Sequence, residues 1–118
     1  MSEALHIAVS EEKGNVPVTV IHVSGDLDSK TYQELEAKAG EIIGGGAKNI
    51  LLDLSGIKFM GSAGLRAMHG ISSKLKDSGG GQLKLLNPSD AVSRVMFTLG
   101  FDKFFDIKKD LNEAVKAF

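Results

Sequence analysis

A near-continuous apolar run at residues 50–54, with the sequence ILLDL, constrains the fold of this 118-residue chain more than any other feature. Only Asp53 interrupts it. A strand with one solvated face alternates apolar and polar side chains, whereas a strand that is covered on both faces does not. We therefore expect a central strand here, inside a sheet that is packed on both sides.

Apolar side chains at steps of three and four predict helices before and after this strand. In the first helix, Thr31 followed by Glu34 predicts a capping box, and glycines at 44–46 predict the helix end. Further helices are predicted to begin at Ser62, at Pro88-Ser89 and at Asp110. The side chains expected to face the core are Tyr32, Leu35, Ala39, Ile42 and Ile43, then Leu65, Met68, Ile71 and Leu75, then Val92, Val95, Met96 and Leu99, and finally Leu111, Ala114, Val115 and Phe118.

Four further segments predict strands. Residues 5–9 and 16–25 are rich in β-branched side chains, and a polar loop at residues 10–15 would join them as an antiparallel pair. Residues 82–87 predict a short strand, and residues 103–107 predict a short edge strand.

The predicted order of elements is β-β-α-β-α-β-α-β-α. Strands that alternate with helices pair in parallel through right-handed crossovers. We therefore predict an α/β fold, with one domain over residues 1–118, a mixed sheet of four or five strands, and four helices. Functional loops in such sheets gather at the carboxyl ends of the strands, which here are residues 24–30 and 55–62.

Composition excludes several classes of function. With 14 basic and 15 acidic residues, the formal net charge is -1, so nothing in the charge favours nucleic acid or an acidic membrane as a partner. The absence of cysteine excludes disulfides, thiolate metal sites and cysteine nucleophiles. His6, His22 and His69 are far apart in sequence, so we expect neither a metal site nor a cofactor.

The sequence also lacks the marks of a membrane or secreted protein. No apolar run approaches the roughly 20 residues that a membrane-spanning helix needs. The first ten residues carry acid rather than base and have no long apolar stretch, so they do not resemble a signal peptide. We expect a cytoplasmic protein.

Ser62 follows the central strand and stands between Gly61 and Gly64. It is not the nucleophile of a G-x-S-x-G elbow, because Met60 occupies the first glycine position and no histidine has a triad context. The glycines do not form a phosphate-binding P-loop either, since no Lys-Ser or Lys-Thr follows them. Two interpretations remain: Ser62 caps the helix, or it presents an exposed hydroxyl where the helix dipole would tolerate a phosphate.

Asp26 and Asp28 lie in the segment SGDLDS, at the other predicted loop. Their carboxylates can satisfy free amides at a turn or at the start of a helix. They can also serve a binding surface, and the spacing of the residues leaves both interpretations open.

At this point the sequence resembles a known family, the STAS domain (sulphate transporter and anti-sigma factor antagonist) of the bacterial anti-sigma factor antagonists. The resemblance covers essentially the whole chain, and two motifs carry it. One is G-x-L-D, here residues 25–28. The other is D-L-S-x-x-x-F-M-D-S-[SA]-G-L, which matches residues 53–65 except that Gly61 replaces the aspartate before the serine.

The resemblance implies a protein–protein switch rather than an enzyme. In this family the serine that matches Ser62 is phosphorylated by a partner kinase, which is itself the anti-sigma factor. Phosphorylation breaks the complex, and a dedicated phosphatase, of PP2C type, restores it. The resemblance implies that the partner-binding residues are Asp26, Asp28, Gly61, Ser62, Ala63 and Gly64.

Two other functions stay open. The same domain could be a non-phosphorylated scaffold or binding subunit of a signalling or lipid-transport complex, which the departure at Gly61 would fit. The loops around Gly25 and Gly61 could instead bind a nucleotide or another small ligand. The sequence does not indicate the oligomeric state.

Overall fold

A computed structural model describes residues 4–118, so the first three residues of the predicted domain lie outside it. It contains one five-stranded sheet with the strand order β1-β2-β3-β4-β5. The strands are β1 His6–Lys13, β2 Pro17–Leu27, β3 Asn49–Met60, β4 Gln82–Leu86 and β5 Asp106–Lys108. The helices are α1 Tyr32–Gly44, α2 Ser62–Asp77, α3 Asp90–Leu99 and α4 Leu111–Lys116, with a 3-10 turn at Phe101–Lys103.

The predicted α/β fold and order of elements are confirmed. β1 pairs antiparallel with β2, and β2, β3, β4 and β5 then pair in parallel. β3 lies in the middle, and the side chains of its apolar run are fully buried. The sheet is therefore mixed, with its antiparallel strand at one edge.

The two faces of the sheet are covered unequally. Helices α1, α2 and α3 pack on one face and enclose the main core, which includes Leu35, Leu65 and Met96. The six-residue α4 covers the other face, where Ala114 and Val115 pack with apolar side chains of β2, β3 and β4. A helix this short leaves the carboxyl-terminal part of that face open.

The ends of the strands differ from the prediction. β1 continues through the polar residues 10–13, because Ser10 and the glutamates after it pair with β2 at the solvent-exposed edge of the sheet. Further along, His22 pairs with Asp53 but Ser24 pairs with Gly56, so three steps along β3 match two along β2. This is a β-bulge, and a second register shift follows before the strands end.

These bulges make the predicted loops wrong in length. The ladder between β2 and β3 runs on to Leu27 and Met60, through glycine and serine residues that indicate a loop in the sequence. The connection from β2 to α1 is therefore residues 28–31, and the connection from β3 to α2 is Gly61 alone.

The predicted helices are present, with small errors. Ser89 caps α3 and Asp110 caps α4, and each side chain accepts a hydrogen bond from a backbone amide three residues later. Leu99 was expected to face the core but is exposed, because α3 ends there and Gly100 turns the chain away in a left-handed conformation. The last strand covers residues 106–108 rather than 103–107, since the 3-10 turn occupies the start of the predicted segment.

Candidate functional site

The two predicted loops meet at the carboxyl edge of the sheet. β2 and β3 are parallel neighbours, and their last residues, Leu27 and Met60, are paired. The amide of Gly61 donates a hydrogen bond of 2.9 Å to the carbonyl of Leu27. A Cβ atom at Gly61 would lie 3.9 Å from the Cα of Asp28. The structure therefore brings the segments around Asp28 and Ser62 side by side.

Ser62 is the first residue of α2, as predicted, but it is not the cap. Gly61 is the N-cap residue, in an extended conformation with φ of -98° and ψ of 175°. Its carbonyl accepts the first turn's hydrogen bond from Gly64, at 3.0 Å. Ser62 is exposed, and within residues 4–118 its hydroxyl makes no hydrogen bond. The interpretation of Ser62 as a helix cap is therefore wrong, and the hydroxyl is free.

The two glycines beside Ser62 do different things. A Cβ atom at Gly61 would meet nothing closer than 3.7 Å, and the backbone there suits any residue. A Cβ atom at Gly64 would lie 2.9 Å from Cγ of Leu27 and 3.2 Å from Cγ of Met60. Gly64 therefore does not expose the serine; it lets the start of α2 pack against the strand ends. Ala63 and Gly64 are both buried.

The Asp28 turn, residues 28–31, is held by its own side chains. The Asp28 carboxylate accepts hydrogen bonds from the amides of Lys30, at 2.9 Å, and Thr31, at 3.2 Å. The Thr31 hydroxyl donates to the carbonyl of Asp26 at 2.7 Å and accepts from the amide of Asp28 at 3.0 Å. The predicted capping box with Glu34 is wrong, because the Thr31 hydroxyl is engaged with the preceding turn.

Gly25 explains the first residue of the G-x-L-D pattern. Its φ of +96° belongs to the left-handed region that favours glycine. A Cβ atom there would also collide with the backbone carbonyl of Ala4. Asp26 and Asp28 follow it and are both half-buried. The carboxylate of Asp28 thus has a structural role in the turn, with part of its surface facing solvent.

Comparison with known proteins identifies the family. A model of the STAS domain matches residues 8–114, which is nearly all of the chain. The chain belongs to the STAS family. The resemblance that its two motifs carry is therefore confirmed.

Relatives of this STAS protein include named regulators. The anti-sigma-F factor antagonist RsfB of Mycobacterium tuberculosis is 26% identical over 113 residues, which cover 96% of this chain and 88% of that protein. The crystal structure of an anti-sigma factor antagonist from Mycobacterium paratuberculosis is 28% identical, with a TM-score of 0.82 over 97% of this chain and 93% of that one.

A third relative has been solved in two states. The anti-sigma factor antagonist SpoIIAA in its unphosphorylated form is 25% identical, with a TM-score of 0.72 over 93% of this chain and 95% of that one. The phosphorylated form of the Bacillus protein is 25% identical, with a TM-score of 0.66 over 93% and 98% of the two chains.

A second polar cluster combines Asp53 and Ser55, the first and third residues of the second motif, with two residues outside both motifs. His22 contacts Asp53 through Nδ1, at 2.8 Å from Oδ2, and contacts Ser10 through Nε2, at 2.9 Å from Oγ. The amide and hydroxyl of Ser55 donate to the other carboxylate oxygen of Asp53, at 3.1 and 2.8 Å. The expectation that no histidine has a triad context is wrong for His22. We call these four residues the His22 cluster.

The ionisation of Asp53 follows from these contacts. Partial burial opposes the charged form, but hydrogen bonds from His22 and from the amide and hydroxyl of Ser55 together lower the pKa of Asp53 below its usual value. Asp53 is therefore a carboxylate at neutral pH. It can only accept hydrogen bonds, so Nδ1 of His22 carries a proton.

No group of three histidine, aspartate or glutamate side chains in residues 4–118 is arranged to hold a metal ion. Over the same residues, no helix has the length and apolar character needed to cross a membrane.

Proposed function

We propose that this STAS protein is an anti-sigma factor antagonist. It binds an anti-sigma factor that has serine kinase activity, and the surface around Ser62 and the Asp28 turn is the docking site. The observation that carries the proposal is the free, exposed hydroxyl of Ser62 at the start of α2. The relatives that are named as antagonists support it. The role of this surface is one of binding and regulation rather than catalysis.

Phosphorylation of Ser62 is the proposed off-switch. A phosphate adds about -1.5 to -2 charges at pH 7. The helix N-terminus, with its partial positive charge, accommodates such a group without refolding. A docked partner would instead have to bury a bulky dianion, and each loss of about 1.4 kcal/mol weakens binding tenfold. A PP2C-type phosphatase would restore binding. That SpoIIAA has been solved in both forms supports this part of the proposal.

The backbone at Gly61 leaves room for the aspartate that the family usually has before the serine. The family's usual aspartate at this position fits the structure, because the backbone is extended and a Cβ atom would be unobstructed. A carboxylate at the N-cap position would also accept hydrogen bonds from the amides of the first turn. Gly61→Asp should therefore restore the family pattern without disturbing the fold.

Phosphorylation by the cognate kinase and ATP tests the assignment, followed by intact mass and peptide mapping. We expect one phosphate on wild type, a higher rate for Gly61→Asp, and no phosphate on Ser62→Ala. Ser29→Ala is the matched control, because Ser29 is exposed in the neighbouring Asp28 turn but does not begin a helix. A single phosphate that survives Ser62→Ala would contradict the proposal.

Binding tests the docking surface separately from the chemistry. Ser62→Glu should lower the affinity for the kinase about tenfold or more, which corresponds to about 1.4 kcal/mol or more. Ser62→Gln, of similar size but uncharged, should lower it less. Asp28→Asn keeps the oxygen that accepts from Lys30 and Thr31 but removes the charge, so affinity should fall while thermal stability stays nearly level. Unchanged affinity would leave Asp28 as a turn residue only.

The alternative is a STAS scaffold or binding subunit of a signalling or lipid-transport complex that is not phosphorylated. The observation in its favour is Gly61, which departs from the family pattern. If neither wild type nor Gly61→Asp gains a phosphate while a pull-down still recovers a stable complex, the scaffold function is the correct one.

A further inference from the structure

The His22 cluster lies on the half of the sheet that α4 leaves open. Side chains alternate between the two faces of a strand, so His22 shares its face with Val18 and Val20, which pack with α4. The side chain of His22 is 40% exposed and that of Asp53 is 18% exposed. The cluster thus meets solvent, and none of its members belongs to the docking surface around Ser62.

The contacts of the cluster form a chain from Ser10 through His22 to Asp53. Nδ1 of His22 donates to the Asp53 carboxylate, because that group can only accept. In the neutral form of the imidazole, Nε2 has a lone pair that accepts from the Ser10 hydroxyl, 2.9 Å away. Ser55 holds the far oxygen of Asp53 through two hydrogen bonds and so fixes the carboxylate. A serine, a base and an orienting carboxylate are therefore in the relation that activates a nucleophile.

We propose that Ser10 is a nucleophile that accepts the acyl group of small activated esters, with His22 as its general base. Oγ of Ser10 forms a bond to the ester carbonyl carbon, and its proton passes to Nε2 of His22. The bond to the leaving oxygen then breaks, and that oxygen takes the proton from His22 to leave as the alcohol. Water repeats both steps, releases the carboxylic acid and restores the Ser10 hydroxyl.

The surroundings of the cluster suit a small substrate. A groove of about 230 Å³ borders His22 and Asp53 and is lined in part by Ala8, which lies two residues from Ser10 on the same strand face.

Ser78 is the control serine for Ser10, because it is exposed and makes no hydrogen bond to a histidine within residues 4–118. The test is to incubate folded wild type with a fluorophosphonate probe, which forms an oxygen–phosphorus bond on an activated serine and releases fluoride. We expect one adduct, mapped to the peptide that contains Ser10. It should be absent from Ser10→Ala, unchanged in Ser78→Ala, and absent from wild type unfolded in urea.

The roles of the two other residues have their own readouts. His22→Ala should lower the labelling rate about 100-fold, which is the lower end of the usual contribution of general acid–base catalysis. Added imidazole should restore part of the lost labelling rate. Asp53 is a positioning residue, so Asp53→Asn should slow labelling and remove the downfield Nδ1 proton resonance of His22. With p-nitrophenyl acetate, wild type should release p-nitrophenolate faster than Ser10→Ala. No adduct on folded wild type, an adduct on Ser62, or labelling unaffected by His22→Ala would overturn the proposal.

Discussion

Gly64→Ala tests how α2 is held at the proposed docking surface. The new methyl group would lie 2.9 Å from Cγ and 3.0 Å from Cδ2 of Leu27, and 3.2 Å from Cγ of Met60. Carbon atoms prefer separations of about 3.5–4.0 Å, so all three contacts are too short. Leu27 and Met60 are both buried and cannot swing into solvent. The start of α2 must therefore move away from the ends of β2 and β3.

The expected cost is set by overpacking. Inserting a methyl group into a well-packed site costs about 1–3 kcal/mol. Replacing glycine by alanine inside a helix stabilises the folded protein by about 0.5–1 kcal/mol, and by less in the first turn, where Gly64 lies. We expect a net loss of about 1–2 kcal/mol, which for a domain of this size lowers Tm by about 4–8 °C.

Gly70→Ala is the control within the same helix. Its nearest neighbour would be Oε2 of Glu36, at 3.8 Å, and the residue is exposed. The alanine should therefore stabilise the protein by about 0.5–1 kcal/mol. Thermal and urea unfolding of both variants, monitored by circular dichroism, measure the difference. If Gly64→Ala were as stable as Gly70→Ala, the tight packing of α2 against Leu27 would be refuted.

Three other predictions concern stability. Leu65→Ala should cost about 2–5 kcal/mol in urea unfolding, because that side chain is buried in the main core. Asp106→Asn should cost more than Lys84→Met in urea unfolding, because the buried ammonium group of Lys84, 2.7 Å from Asp106, would lose the opposite charge beside it, whereas the half-exposed Asp106 can be hydrated. Equal losses of stability would contradict this. Because the pKa of Asp53 is lowered in the folded protein, its ionised carboxylate stabilises the fold at any pH above the usual aspartate pKa. This stabilisation is lost as the pH falls through the lowered pKa. In thermal unfolding, the difference in Tm between wild type and Asp53→Asn should therefore shrink below about pH 4.

The order of elements could be predicted because it depends on side-chain periodicity. The apolar run of β3 and the helical spacing after Ser62 each indicate which faces of the strand and helix are buried, because buried positions are occupied by apolar residues. The ends of β2 and β3 could not be predicted. A ladder of backbone hydrogen bonds can pass through Ser55 and Gly56 once bulges restore the pairing, and these residue types alone indicate a loop.

The proximity of Asp28 and Ser62 could also be predicted, since the carboxyl ends of neighbouring parallel strands meet at one edge. The His22 cluster could not. Ser10 is 12 positions and Asp53 is 31 positions from His22 in the sequence. The three residues meet only because β1 and β3 pair with β2 in particular registers on either side of His22. A shift of one residue would send a side chain to the opposite face of the sheet. Unless the strand register is known, the sequence does not indicate which residues a histidine in an apolar strand will contact.

The STAS motif residues divide by what they contact, and this division decides which of them can recognise a partner. Gly25 and Gly64 face other parts of the same chain, so changing them should alter stability and binding together. Ser62 presents a free hydroxyl to solvent, and the Asp28 carboxylate remains half-buried at the same surface. Asp28→Asn should therefore separate affinity from stability, whereas Gly64→Ala should not. Gly61 belongs to neither group, because an aspartate fits there without strain. We therefore expect its effect on the proposed switch to depend only on the presence or absence of one carboxylate.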